Sequence, residues 1–137
     1  MPKSIKFTND TYLDSAGVVH DRIPLKEMIN GTKIYESDGT SETITFSENI
    51  LQYKFFEVFY WHQSINCVQL VPNSESFTIH SVCWATSEII QDAFLNYEIG
   101  SNNFSLVGHG YVNYSNNSVR NVGTSSPIKI YKIIAHR

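Results

Sequence analysis

From Lys33 onward the chain alternates between short runs rich in β-branched and aromatic residues and clusters of Ser, Asn, Asp, Gly and Pro. In Phe77 to Ala85, residues Phe77, Ile79, Ser81 and Cys83 alternate with Thr78, His80, Val82 and Trp84, the period of a strand whose successive side chains point to opposite faces. Phe55 to Trp61 reads Phe-Phe-Glu-Val-Phe-Tyr-Trp and is apolar on nearly both faces, which suits the middle of a sheet covered on both sides. Further strands are expected at Lys33 to Glu36, Glu42 to Phe46, Cys67 to Val71, Ala93 to Ile99, Phe104 to Gly108, Tyr111 to Tyr114, Ser118 to Val122 and Ile128 to Ala135. Ser37-Asp38-Gly39-Thr40 reads as a hairpin turn, because Asp-Gly accepts the positive φ such turns need, and Gly108-His109-Gly110 reads as the opening of another. Only Leu25 to Ile29 and Ser87 to Gln91 look briefly helical, and no alternation of strand with long helix supports a parallel sheet. The expected fold is all-β, an antiparallel β-sandwich of jelly-roll-like type.

The first thirty residues differ. Tyr12-Leu13 and Val18-Val19-His20 flank the turn Asp14-Ser15-Ala16-Gly17, and a short strand is expected at Ser4 to Phe7. These pieces are hairpin-like but too small to enclose a core. Residues 1–31 are therefore read as an arm or attachment segment and residues 32–137 as the sandwich domain. The arm carries Ile5, Phe7, Tyr12, Leu13, Val18, Val19, Ile23, Leu25 and Ile29, more apolar surface than it can bury within itself. A homo-oligomer held partly by this arm is the expected state.

Composition narrows the function classes. Thirteen acidic and ten basic residues are scattered along the chain for a net charge of −3, so no basic stripe for a phosphate backbone is present and nucleic acid is not an expected partner. No apolar run approaches the roughly 20 residues that span a bilayer, so membrane insertion is not expected. Met1-Pro2-Lys3-Ser4 has none of the apolar stretch of a signal peptide, which implies synthesis in a cytoplasm. In that compartment Cys67 and Cys83 are expected as free thiols rather than a disulfide.

No catalytic set emerges. The five histidines, His20, His62, His80, His109 and His136, show no ligand spacing to each other, to cysteine or to carboxylate, so neither a metal nor another cofactor is expected. The many serines include no nucleophile elbow. Gly108-His109-Gly110 lacks the helix and lysine of a phosphate cradle. Glu57 is the one acid inside an apolar strand; burial could raise its pKa and make it a general acid, although a rim position or a partner lysine is the commoner explanation. The chain is expected not to be an enzyme.

Aromatic residues are the richer clue: eight Tyr, eight Phe and two Trp make up 13% of the chain. Trp61, Trp84, Tyr111 and Tyr114 combine apolar bodies with polar tips, as sugar- and protein-binding surfaces do, and are the candidate ligand-binding residues. Core packing is the alternative for the two tryptophans. Tyr111 and Tyr114, beside the Ser115-Asn116-Asn117 turn, are expected to be exposed.

Two stretches carry a resemblance. Tyr12-Leu13-Asp14-Ser15-Ala16-Gly17-Val18-Val19-His20-Asp21-Arg22 resembles a junction sequence of tail-fibre, baseplate and minor structural proteins of tailed bacteriophages. Ile128-Lys129-Ile130-Tyr131-Lys132-Ile133-Ile134-Ala135-His136-Arg137 resembles the strand that closes their β-sandwich modules, and the stretch around Leu51-Gln52-Tyr53 agrees in type. The resemblance implies a virion structural protein of fibre-tip or capsid-decoration type, usually a homotrimer, that contacts other virion proteins and touches the host surface, where a glycan is a candidate partner, with no catalytic residues to carry over. The chain departs from long fibres in having no coiled-coil heptads. A carbohydrate-binding module or lectin of cellular origin is the alternative reading, on the aromatic residues alone.

Overall fold

The computed structural model describes residues 11–13, 16, 19–21 and 30–137 with the exception of 117. The strand expected at Ser4 to Phe7 and the helical turn expected at Leu25 to Ile29 lie outside the described residues. In the arm, β1 (Thr11–Leu13) and β2 (Val19–Asp21) pair antiparallel with Leu13 opposite Val19, the hairpin its sequence predicts.

The remaining strands are β3 (Thr32–Thr40), β4 (Ile44–Thr45), β5 (Phe55–His62), β6 (Ile65–Pro72), β7 (Ser76–Trp84), β8 (Ile90–Ile99), β9 (Asn103–Ser115), β10 (Ser118–Gly123) and β11 (Lys129–His136). They form an antiparallel β-sandwich of two curled sheets. One has the order β3-β11-β5-β6; the other has the order β10-β9-β8-β7, with β4 also on β9. The long β9 serves β4 at its start and β10 at its end along the same edge, while β8 covers its other edge. Hairpins join β5 to β6 and β7 through β10 in succession, the β6–β7 connection crosses from one sheet to the other, and the last strand returns between β3 and β5.

Strand alternation decides what the layers enclose. Along β5, Phe56, Val58, Tyr60 and His62 are buried while Phe55, Glu57, Phe59 and Trp61 face outward. Along β8, Gln91, Ala93, Leu95 and Tyr97 are buried. Each large apolar side chain hidden this way contributes about 1.5–3 kcal/mol. Phe104 sits among three rings, with Phe46 at 4.9 Å, Phe56 at 5.2 Å and Phe77 at 4.8 Å, all edge-on. The sheets meet at the β6–β7 corner, where the Gln69 carboxamide donates to Thr78 O at 2.6 Å and accepts from His80 N at 3.3 Å. A side-chain amide thus occupies part of the β7 edge that would otherwise be open to another strand.

Three local expectations are corrected. Asp38-Gly39 is not a hairpin turn: it lies inside β3, and β4 belongs to the other sheet. Ile130 faces Thr40 while Lys132 faces Glu36, so β3 carries extra residues here, and Gly39 takes φ 113° in the irregularity. Gly108-His109-Gly110 likewise runs through the continuous β9, where Gly110 leaves room for a carbonyl, since a Cβ would lie 2.7 Å from Gly123 O. Ser87 to Gln91 is not helical. The Thr86 hydroxyl accepts from Glu88 N at 3.2 Å and Ile89 N at 3.1 Å, bending residues 85–89 into the β7–β8 turn before a helix can form.

Candidate functional site

The register of the five-stranded sheet places Trp84 opposite Ile90, Ile90 opposite Tyr114 and Tyr114 opposite Val119, so the four form one row on its outer face. Trp84 and Tyr114 are rooted two strand spacings apart, about 10 Å, with Ile90 between them as a floor. Trp84 is 63% exposed, a large apolar surface that no described residue covers. The β7–β8 turn brings up Ser87 and Glu88, and the β9–β10 turn brings up Asn116, whose φ of 51° holds the left-handed conformation this tight turn needs. Together these residues line an open cavity of about 450 Å³, within the size range of small-molecule sites. Among the described residues, Glu88 is the only charged one lining it.

Trp61 stands on the outer face of the other sheet. Its indole stacks on Tyr131, with ring centres 4.3 Å apart and planes 17° apart, while Lys132 Nζ lies 4.3 Å from the centre of the Phe59 ring. A second open cavity, of about 430 Å³, lies between Trp61, the Gln63–Ser64 turn, Pro127 and Lys129. The structure therefore brings Trp84 and Tyr114 together and places Trp61 on a separate surface.

Tyr111 belongs with neither group. It faces Ala93 and Gly123 from the inner side of β9 and packs against the core, which corrects the expectation that it is exposed. Strand parity is the reason: Tyr111 and Tyr114 are three residues apart on one strand, so they point to opposite faces.

Glu57 sits on the outer face of β5, where its Oε1 lies 2.5 Å from His136 Nε2, and the His136 ring is stacked on Phe55 at 4.4 Å. A basic partner at a half-exposed position, rather than an enclosed pocket, accounts for this acid. Among the described residues, no three His, Cys, Asp or Glu side chains gather in a group that could hold a metal ion. Cys67 and Cys83 are free and half-buried, and burial, with the Cys67 thiol nearby, pushes the Cys83 thiol up. That shift makes Cys83 a poor nucleophile at neutral pH.

One cluster has no counterpart in the sequence reading. His62 is fully buried, with Nδ1 2.8 Å from Ser81 Oγ and Nε2 3.0 Å from Gln91 Oε1. Gln91 Nε2 donates to Asn113 Oδ1 at 3.0 Å, and Asn113 Nδ2 donates to Asn121 Oδ1 at 2.8 Å. With Gln91 so oriented, His62 Nε2–H donates to its carbonyl oxygen, and Nδ1 accepts from the Ser81 hydroxyl. Serine beside an imidazole base resembles a nucleophile pair. Here the orienting group is a neutral amide, and neither cavity is lined by His62 or Ser81. The chain of polar groups ties the two sheets together across the end of the sandwich. No local motif announces it, since its members are 19, 29 and 22 residues apart and meet only through strand packing.

The chain matches no protein-family model, and neither curated proteins nor solved structures give a match, so the reading of its function rests on the site itself.

Proposed function

We propose that the chain is a surface-binding module of a virion structural protein, of fibre-tip or decoration type, that holds a carbohydrate of the host surface in the Trp84–Tyr114 groove without turning it over. The observation that supports this most is the 63% exposure of Trp84 beside Tyr114 in a groove rimmed by Ser87, Glu88 and Asn116. Aromatic faces attract the C–H face of a sugar, and short polar side chains at the rim accept and donate to its hydroxyls. The bacteriophage reading itself comes from the sequence resemblance. Assembly into a homotrimer fits the outward apolar residues Val68 and Leu70 on β6, which are 53% and 66% exposed. Three copies would convert weak single-site binding into firm attachment.

Titration with purified envelope polysaccharides tests the site. Trp84→Ala is expected to weaken binding about thirtyfold, the effect of losing a strong anchor, with no change in polysaccharide chain length for the wild type. Release of shortened product would overturn the non-enzymatic reading, and binding unchanged in Trp84→Ala would overturn the site. Antibody labelling of particles in negative stain separates a virion component from a cellular lectin with the same groove.

A further inference from the structure

We propose that the cavity beside Trp61 is a second binding site, on the outer face of the other sheet, and that it takes a sugar ring bearing a carboxylate. Four observations converge on it, none of which depends on the Trp84 groove.

The aromatic platform is preassembled. Trp61 is held by its stack on Tyr131, which itself lies 6.3 Å from the Phe59 ring. Gly39 sits close against the indole edge, where an added Cβ would be 3.2 Å from Trp61 Cζ3. A platform fixed in this way loses little side-chain freedom when a ligand lands on it.

The rim is held in a conformation that its residues do not favour. Gln63 and Ser64 form the two-residue β5–β6 turn with φ of 50° and 64°, a geometry usually given to Asn-Gly. The Gln63 carboxamide is anchored by donation to Gln91 Oε1 at 2.8 Å, so the buried polar chain behind the turn maintains the strain. Backbone strain of this kind concentrates at ligand clamps. The turn lines the cavity together with Trp61.

The charge is specific. Lys129 is directly opposite Trp61 across the β11–β5 pair and is exposed, and its ammonium has no hydrogen-bond or ion-pair partner among the described residues. Among the described residues it is the only charged one lining the cavity, whereas Lys132 is placed over Phe59. A cross-strand neighbour lies about 5 Å away at Cβ, so the ammonium can meet an anionic substituent on a ring lying on Trp61. Pro127 adds an apolar group to the lining. Among the described residues the Trp84 groove carries the opposite charge, through Glu88. A cavity of about 430 Å³ holds one or two rings of a uronic acid.

The test is titration of the full chain with oligogalacturonate and with its neutral methyl ester, followed by amide and indole NMR shifts. The acidic oligomer is expected to bind and to shift the Trp61 indole signal, and the ester at least fivefold more weakly. Lys129→Glu, at an exposed position that leaves the fold in place, is expected to lower acidic binding more than tenfold, and raised salt to lower it as well. Trp84→Ala is expected to leave this binding unchanged, so its outcome is separate from that of the first groove. Equal binding of acid and ester, binding unaffected by Lys129→Glu, equal affinity for polyglutamate, or no shift at the Trp61 indole would each overturn the proposal.

Discussion

Gly123 lies directly beneath the Tyr111 ring, so close that a Cβ added to it would be 1.9 Å from Tyr111 Cε1. The pair face each other across β9 and β10, and the missing side chain is what allows the tyrosine to lie flat against the end of the core. Gly123→Ala is therefore expected to destabilise the fold by about 1–3 kcal/mol through overpacking. In a Tyr111→Ala background the same change is expected to cost much less. Urea unfolding of the two single variants and the double variant measures this coupling, and full additivity would refute it.

His62 gives a second prediction. Replacing it with Leu removes the partner of the Ser81 hydroxyl and one of the two donors to Gln91 Oε1 inside the sandwich. The expected loss is about 2–4 kcal/mol, because buried polar groups are left with fewer partners. Ser81→Ala, which removes only the outer donor, is expected to cost about 1 kcal/mol. Denaturant midpoints of the two variants give the order directly.

Alkaline pH should weaken the protein before any covalent damage. Burial raises the Cys83 thiol above its ordinary value of 9.0 and the Tyr53, Tyr60 and Tyr97 phenols above 10.0. Above those ordinary values the unfolded chain releases protons that the folded chain retains, so unfolding is favoured as pH rises. Stability is expected to be flat through neutral pH on account of these groups, to begin falling near pH 9 and to fall more steeply past pH 10. Tyr97, the most strongly shifted, donates to Glu42 O at 2.9 Å. Tyr97→Phe is thus expected to lower stability at neutral pH while flattening its decline above pH 10, as thermal melts across pH 7–11 would show.

Much of this molecule is legible in the order of its residues. Period-two alternation in β7, the short aromatic and β-branched run of β5 and the turn-rich stretches between strands are local properties, and they alone lead to an all-β antiparallel chain with its strands near their observed places. The candidate tryptophans are also visible, because a large ring with a polar tip stands out by type. What that order could not decide is which way each strand faces and which turn-forming pair turns the chain. Asp38-Gly39 and Gly108-His109-Gly110 have turn chemistry, yet Asp38-Gly39 is taken up as extra residues in the irregularity of β3 against β11, and Gly108-His109-Gly110 runs on through β9 because β8 pairs with each of its residues. The register shift between Asn96 and Tyr97 against β9 alters strand parity, placing both His109 and Tyr111 on the inner face and Tyr114 outside. The Ser81–His62–Gln91 chain and the opposite charges of the two grooves arise only when strands distant in sequence become neighbours. Local propensity thus determined the elements, while register and sheet packing, long-range properties of the folded chain, determined the surfaces they present.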